Sequence, residues 1–294
     1  MSQMYGKLIV YTEDTDMIGD TVTVTNLVTN ATITGTIGSS GYAEIFLPAF
    51  CHYRATLNGV SEDFDMGCGE SHYLDLGYTT DNWAGIKRII NAGKASQYIS
   101  NGDQFTVQLS NNETLVFEAN VNTYGLGEVD FIPTYCLATT RKQHNSDTNV
   151  GGWNASDLRD YLNNTLFDML PADLQAVISE KPVKATSGNK VNTITISNDK
   201  VWIPTEKEVF GSITYSGSTE NAVNINYPIF TDNSSRVRTQ GANGAAVSVW
   251  LASPDISNAA RFCNVTTSGA PSGYGASYSY GVLPCFKINR EAVS

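Results

Sequence analysis

From Lys7 to about Tyr78, apolar and polar residues alternate with a period of two. Val22 and Val24 form one such set, followed by Ala31, Ile33 and Ile37, by Ala43, Ile45 and Leu47, by Tyr53, Ala55 and Leu57, and by Leu74, Leu76 and Tyr78. Successive strand side chains point to opposite faces, so this spacing predicts half-buried strands. Asn58-Gly59 and the stretch from Gly38 to Gly41 read as turns between them, and no helical period intervenes. A small antiparallel sandwich over residues 1–79 is the expectation.

At Asp81 the period changes. Trp83, Ile86, Ile89 and Ile90 fall on one face of a helix that Asp81 can cap and Gly93 can end, which puts a domain boundary near residue 80. Phe105, Val107 and Leu109, then Leu115, Phe117, Ala119 and Val121, read as two strands turned at Asn111-Asn112, with a third over Val129 to Leu137. Arg141 to Gly152 is polar and reads as loop. Leu158, Tyr161, Leu162 and Leu166 have helical spacing after Trp153, and Pro171 opens a further helix with Leu174, Val177 and Ile178 inward. Ile194 to Ile203 reads as strand and Ser212 to Gly244 as a long polar region. Val247 to Ile288 reads as apolar pieces around Trp250-Leu251 and at the end, joined by a loop of Gly, Ser, Asn and Tyr.

Composition sharpens this picture. With 294 residues, two domains are expected, and 41% hydrophobic but only 16% charged residues favour strands and uncharged polar surface. The net charge is −11 and no basic run exceeds the pairs Lys87-Arg88 and Arg141-Lys142, so nucleic acid is not an expected partner. No apolar stretch approaches the roughly 18 residues a bilayer requires, and Met1 to Tyr11 lacks the layout of a secretory signal. A soluble chain without membrane insertion or signal peptide is expected. Five widely spaced cysteines, Cys51, Cys68, Cys136, Cys263 and Cys285, encode neither a zinc knuckle nor a disulfide framework and read as reduced, mostly buried thiols.

Reactive chemistry is not encoded. His52, His72 and His144 lie in different segments and read as surface residues, and neither a Gly-x-Ser-x-Gly elbow nor a phosphate loop occurs. No catalytic residue and no cofactor are predicted. The densest carboxylate runs, Glu13-Asp14 with Asp16 and Glu62-Asp63 with Asp65, read as solvated turns rather than calcium ligands, so no metal is predicted either. Trp83, Trp153, Trp202 and Trp250 read as core anchors, and Arg159, Glu206 and Glu208 as residues paired within the fold.

Residues 81–290 resemble a family of bacterial and phage domains related to the C-type-lectin and formylglycine-generating-enzyme fold. Six motifs carry the resemblance. They are Trp83-Ala84-Gly85-Ile86 with Ala92-Gly93-Lys94, Gly102-Asp103, Trp153 to Asn163, Trp202-Ile203-Pro204-Thr205-Glu206-Lys207-Glu208, Trp250-Leu251-Ala252-Ser253-Pro254, and Gly281-Val282-Leu283-Pro284. The chain departs from the family pattern at Ala252 and Leu283, where arginines are expected, which puts a polar network in question. The first domain is similar to the Ig-like or carboxypeptidase-regulatory-like sandwiches that precede such domains in phage structural proteins. The fold implied is α+β: an N-terminal all-β Ig-like sandwich over 1–79, then a C-type-lectin-like domain over 80–294 with two or three helices and irregular antiparallel sheets.

The resemblance also implies a role. Such chains are phage tail or virion adhesins, found on the virion or the bacterial cell surface, that bind a host-surface protein or glycan and contact other virion proteins through the N-terminal domain. They are similar to the variable proteins of diversity-generating retroelements, whose C-terminal segments are rich in Asn, Tyr, Ser and Asp, as is Ser253 to Tyr280 here. The candidate ligand-binding residues are therefore Asp255, Asn258, Arg261, Asn264, Ser272, Tyr274, Tyr278 and Tyr280. Tyrosine gives rigid amphipathic contact while small polar residues adapt their hydrogen bonds, and Tyr rings also stack on sugar faces. The competing reading makes these ordinary solvated loop residues. Two alternatives of other classes stand beside adhesion: an oxidase of the formylglycine-generating type, with copper on Cys263 and Cys285, and a purely structural virion component. Tail adhesins are commonly homotrimers, but no coiled-coil heptad supports that here.

Overall fold

The computed structural model describes residues 4–12, 17–58, 60–76, 78–125 and 127–290. Strand outweighs helix, 40% against 17% of residues, so the protein is β-rich with a few short helices. It divides into two compact units, Met1–Lys94 with Arg290–Ser294, and Ala95–Asn289.

Among the described residues, seven strands build the first unit: β1 (Tyr5–Tyr11), β2 (Thr21–Asn26), β3 (Thr32–Thr36), β4 (Tyr42–Pro48), β5 (Cys51–Leu57), β6 (Val60–Met66) and β7 (Ser71–Asp75). One sheet has the order β4-β1-β7 and the other β3-β2-β5-β6. Their inner faces share one core, in which Leu8, Val10, Val22, Val24, Ile45, Leu47, Tyr53, Ala55 and Leu74 are buried at the alternate positions. This is the burial expected when period-two strands lay their apolar faces together. Gly41 turns the chain into β4 with φ of 80°, and its N–H donates to the Gly38 carbonyl at 2.9 Å.

Several expectations need correcting. Ile33 is exposed, because β3 is an edge strand paired only with β2, and Ile37 reaches the core from beyond the strand's end. Glu62, Asp63 and Asp65 are not turn residues but belong to β6, whose register sets them opposite β5. There Arg54 grips Asp63 through two bonds of 2.6 and 2.8 Å, and His52 lies 2.8 Å from Asp65. The run Glu13-Asp14 with Asp16 falls outside the described residues. Helix α1 (Trp83–Asn91) belongs with the first unit and is capped by Asn82 rather than Asp81, since the Asn82 carboxamide oxygen accepts the Gly85 N–H at 2.7 Å.

The second unit opens with α2 (Ala95–Tyr98), followed by β8 (Gln104–Gln108), β9 (Thr114–Val121) and β10 (Glu128–Pro133). The chain's last strand, β18 (Phe286–Asn289), completes this sheet in the order β18-β10-β9-β8. Phe286 stacks on Phe131 with centroids 4.8 Å apart and meets Phe117 edge-on at the same distance, so β18 is held by aromatic packing. The helix expected after Trp153 is broken into a turn, α3 (Asp157–Tyr161) and a wider coil over Leu162–Leu166. Its cap is Ser156, whose hydroxyl accepts from Leu158 and Arg159. After α4 (Ala172–Gln175), β11 (Lys181–Gly188) pairs with β12 (Val191–Asp199), so the strand expected at Ile194 is the second arm of a hairpin.

The expected polar stretch from Ser212 to Gly244 is not structureless. It follows α5 (Glu206–Phe210) and contains α6 (Glu220–Val223), α7 (Asn233–Arg236) and the short β13 (Arg238–Thr239), which pairs with β14 (Ala246–Val247). The C-terminal region forms a sheet of β15 (Val249–Pro254), β16 (Arg261–Val265) and β17 (Pro271–Gly275) where loop was expected. On β16, Cys263 and Val265 are buried on one face and Phe262 on the other. Among the described residues no helix is long and apolar enough to cross a membrane.

Candidate functional site

The site grows from the end of β17. Residues 276–280 follow the strand, and Tyr278 N–H donates back to the Gly275 carbonyl at 3.1 Å, closing a turn. The turn is fastened from elsewhere in the chain: Asp147 accepts the Ser277 N–H at 2.9 Å, and Gln143 and His144 both donate their N–H groups to the Ala276 carbonyl at 3.0 Å. Its bonds to Ser277 hold the Asp147 carboxyl below the usual carboxylate range. Arg141 and Tyr280 exchange backbone bonds of 2.9 and 3.0 Å.

This fastening gathers three of the predicted residues. Tyr274 and Tyr278 meet edge to face with centroids 4.6 Å apart, Tyr280 lies 5.5 Å from Tyr274, and Tyr280 in turn rests 4.7 Å from the buried Trp250. Trp250 is fixed by its own ring N–H, which donates to the Arg141 carbonyl at 2.8 Å. The outer two rings remain open to solvent, Tyr274 at 41% and Tyr278 at 51%. The result is a small aromatic platform standing on a core tryptophan.

The other five candidates go elsewhere. Asp255 is buried and its carboxylate caps its own turn, accepting from the Ser257 N–H at 2.8 Å and hydroxyl at 2.7 Å. Asn264 is buried on β16 opposite Ser272. These two leave the contact set, because neither side chain reaches the surface. Asn258 is half-buried and uses its side chain on the Ala260 N–H, whereas Arg261 is exposed at the start of β16. The loop from 255 to 261 is held by Asn149, whose amide donates to the carbonyls of Asp255, Asn258 and Arg261 at 3.2, 3.0 and 2.7 Å. Gly188 lets this clamp close: it has φ of 72°, and a Cβ there would fall 1.7 Å from the Asn149 carbonyl oxygen.

Beside the tyrosines lies a cleft of about 350 Å³, lined among others by Arg141, Lys142, His144, Asp157, Tyr161 and Ser279. Ser279 sits between Tyr278 and Tyr280 and joins the two features. His144, expected at the surface, is only 9% exposed; its Nδ1 stands 3.6 Å from Asp157, and its ring packs near Phe262. Sequence reading placed Arg141, Lys142, His144 and Ser279 in loops and Tyr161 on a helix, and joined none of them into a site. The adjacent basic pair Arg141-Lys142 was the one available signal, and nothing local ties it to Ser279.

Two further groups of titratable side chains are enclosed. Lys181 reaches Glu208 at 2.6 Å and the Tyr227 hydroxyl, with the rings of Tyr124 and Trp202 4.2 and 4.6 Å away. Burial opposes the lysine's charge, but Glu208 and Asp130 outweigh it and hold its pKa above the ordinary value. Thr205 and Glu208 form a capping box at the start of α5, so Glu208 is paired within the fold, as Arg159 is with Asp199 at 2.7 Å. Nearby, Glu220 shares Ser253 with the backbone of Glu206. Cys263 and Cys285 lie in different surroundings, the first near Glu206 and the second near Lys181, and burial pushes both thiols well above their ordinary value. Among the described residues no three His, Cys, Asp or Glu side chains are grouped to hold a metal ion.

Comparison with known proteins adds little beyond this geometry. No curated protein matches the chain. Among solved structures, the Bacillus anthracis TIE protein is 18% identical over 25% of this chain and 17% of its own, with a TM-score of 0.22. A DUF3823 family protein from Parabacteroides merdae is 12% identical over 45% of this chain and 59% of its own, also at 0.22. A fimbrial protein from Bacteroides ovatus is 8% identical over 97% of this chain and 71% of its own, at 0.23. The chain thus spans 17% and 59% of the first two relatives. A sequence model of the family described as "Domain of unknown function (DUF6273)" matches residues 111–290, more than half of the chain and most of its second unit, and the chain belongs to that family.

Proposed function

We propose that the chain is a non-enzymatic recognition protein, an adhesin of a phage tail or virion, in which the second unit binds a host-surface ligand. The observation that carries this is the platform of Tyr274, Tyr278 and Tyr280, open at its outer rings and braced from beneath by Trp250. Preorganised aromatic rings lose little entropy on binding and offer both an apolar face and a hydroxyl, a combination that suits the faces of sugars as well as protein surfaces. In this reading the second unit is a C-type-lectin-like domain. The first is an Ig-like spacer that docks on other virion proteins, and its two sheets over one core support that assignment. Retroelement diversification would then act on residues 253–280, with Asp255 and Asn264 spared as buried supports.

The test uses the labelled full-length chain on host cells. Saturable binding is expected, and Tyr274→Ala with Tyr278→Ala should weaken it by about tenfold or more, since each aromatic contact contributes on the order of 1 kcal/mol. Because both residues are about half exposed and lie outside the core, the double variant should remain folded, with a modest fall in unfolding temperature. Undiminished binding by a folded double variant would remove the platform from the contact surface. Genes from sibling isolates that do not vary over 253–280 would remove the retroelement.

A further inference from the structure

We infer that the cleft beside the tyrosines seats a carboxylate, so that the ligand class of this unit is an acidic saccharide; this rests on the reading of the unit as a ligand-binding module. The chain carries 29 acidic against 18 basic side chains, yet two adjacent cations, Arg141 and Lys142, line this one cleft. Neither has a carboxylate within ion-pairing distance among the described residues. Among the described residues lining the cleft Asp157 is the only acid, and it is engaged by the Asn145 N–H at 2.9 Å and by His144.

The arginine is held rather than free. Its backbone is tied on both sides to Tyr280, its carbonyl also accepts from Trp250, and its guanidinium carbon lies 3.3 Å from the centre of the Tyr161 ring. A guanidinium flat against an aromatic face keeps its in-plane N–H groups free for the two oxygens of a carboxylate. Two atoms here lack partners: Arg141 Nε and His144 Nε2 are both buried from solvent with no hydrogen bond among the described residues. Neither atom is open to the cleft, so a carboxylate there would be met by the terminal N–H groups of Arg141 and by the Lys142 ammonium.

Placement supplies the rest. Ser279 opens into the cleft while its neighbours Tyr278 and Tyr280 belong to the platform, so a sugar ring resting on the tyrosines can direct a charged substituent at Arg141. The volume is that of an ordinary small-ligand site. A neutral sugar would use the platform but bring no carboxylate to Arg141 and Lys142. The long-range field of so acidic a chain repels anions, which makes a local cationic seat necessary for this class of ligand.

The experiment measures binding of the full-length chain to matched pairs of sugars that differ in the carboxylate: tetragalacturonate against its full methyl ester, and sialyllactose against lactose. The acid member of at least one pair should bind about tenfold to a hundredfold tighter, the range expected for a charge-assisted hydrogen-bonded pair. Arg141→Gln and Lys142→Gln should erase that preference, and Arg141→Lys should restore part of it. Lys142 is exposed, so its variant tests the seat without risk to folding. Equal binding within every pair overturns the inference and leaves the adhesin reading standing, as does an acid preference that survives both Gln variants. Binding to no sugar, with adhesion to periodate-treated cells intact, overturns it in favour of a protein receptor. Binding to neither sugars nor cells overturns both readings.

Discussion

Glu220→Gln should flatten the dependence of stability on pH. The Glu220 carboxylate is fully buried on α6, where one oxygen accepts from the Thr186 N–H and hydroxyl at 2.8 and 3.1 Å and the other from the Ser253 hydroxyl at 2.5 Å. Burial nevertheless pushes its pKa up to about 7 from 4.5, and the Glu206 carboxylate adds to the rise. Between these values the unfolded chain gives up a proton that the folded chain keeps. Stability is therefore fully present below pH 4.5, falls through the window up to pH 7 and is level above it. A gap of about 2.5 pH units corresponds to about 3 kcal/mol at 1.36 kcal/mol per unit. Glutamine reproduces the neutral form, since its oxygen can keep the Thr186 donors while its amide donates to Ser253. The variant should match the parent within about 1 kcal/mol at pH 4.5 and exceed it by up to about 3 kcal/mol at pH 8. Urea unfolding followed by tryptophan fluorescence reads this, because Trp153, Trp202 and Trp250 all lie buried in the second unit. Other titrating groups cancel in the difference between the two proteins. A gap of the same size at pH 4.5 and pH 8 would refute the reasoning.

Three further substitutions test buried polar contacts of the second unit. Lys181→Met strands the Glu208 charge in the interior and should cost about 3 to 5 kcal/mol. Adding Glu208→Gln should recover much of that loss, and a double-mutant cycle in urea measures the coupling. Asn149→Ala removes the donor shared by three carbonyls of the 255–261 loop and the acceptor of the Asn189 N–H, at 2.7 Å. It should cost about 3 kcal/mol, and hydrogen exchange should speed up at Asn189, whereas unchanged protection there would show that the clamp is redundant.

Much of the first unit was legible because its core obeys the pleat. Val22, Val24, Ala43, Ile45, Leu47, Tyr53, Ala55 and Leu57 are buried as the alternation predicts. The failures have physical causes. Ile33 carries the strand pattern on an edge strand that buries little, and the carboxylates on β6 imitate a solvated turn although Asp63 and Asp65 meet Arg54 and His52 across the strands. In the second unit the C-terminal sheet was hidden by its Gly, Ser and Asn content, although Cys263 and Val265 alternate as buried positions of one strand face would. The four tryptophans read as anchors are all buried.

For this protein the sequence by itself determined the β-rich class, the sandwich alternation, the tryptophan anchors and the presence of a Tyr-rich terminal segment, because each of these depends on residue type and near neighbours. Only the tertiary structure decided which polar residues face outward. Asp255 and Asn264 have the same composition signal as Tyr274 and Tyr278, yet backbone hydrogen bonding turned the first two inward. The cleft is a tertiary product altogether. Arg141, Asp157 and Ser279 meet through main-chain bonds between segments far apart in the chain, and main-chain groups are the same at every residue, so no side-chain pattern announces where they will pair.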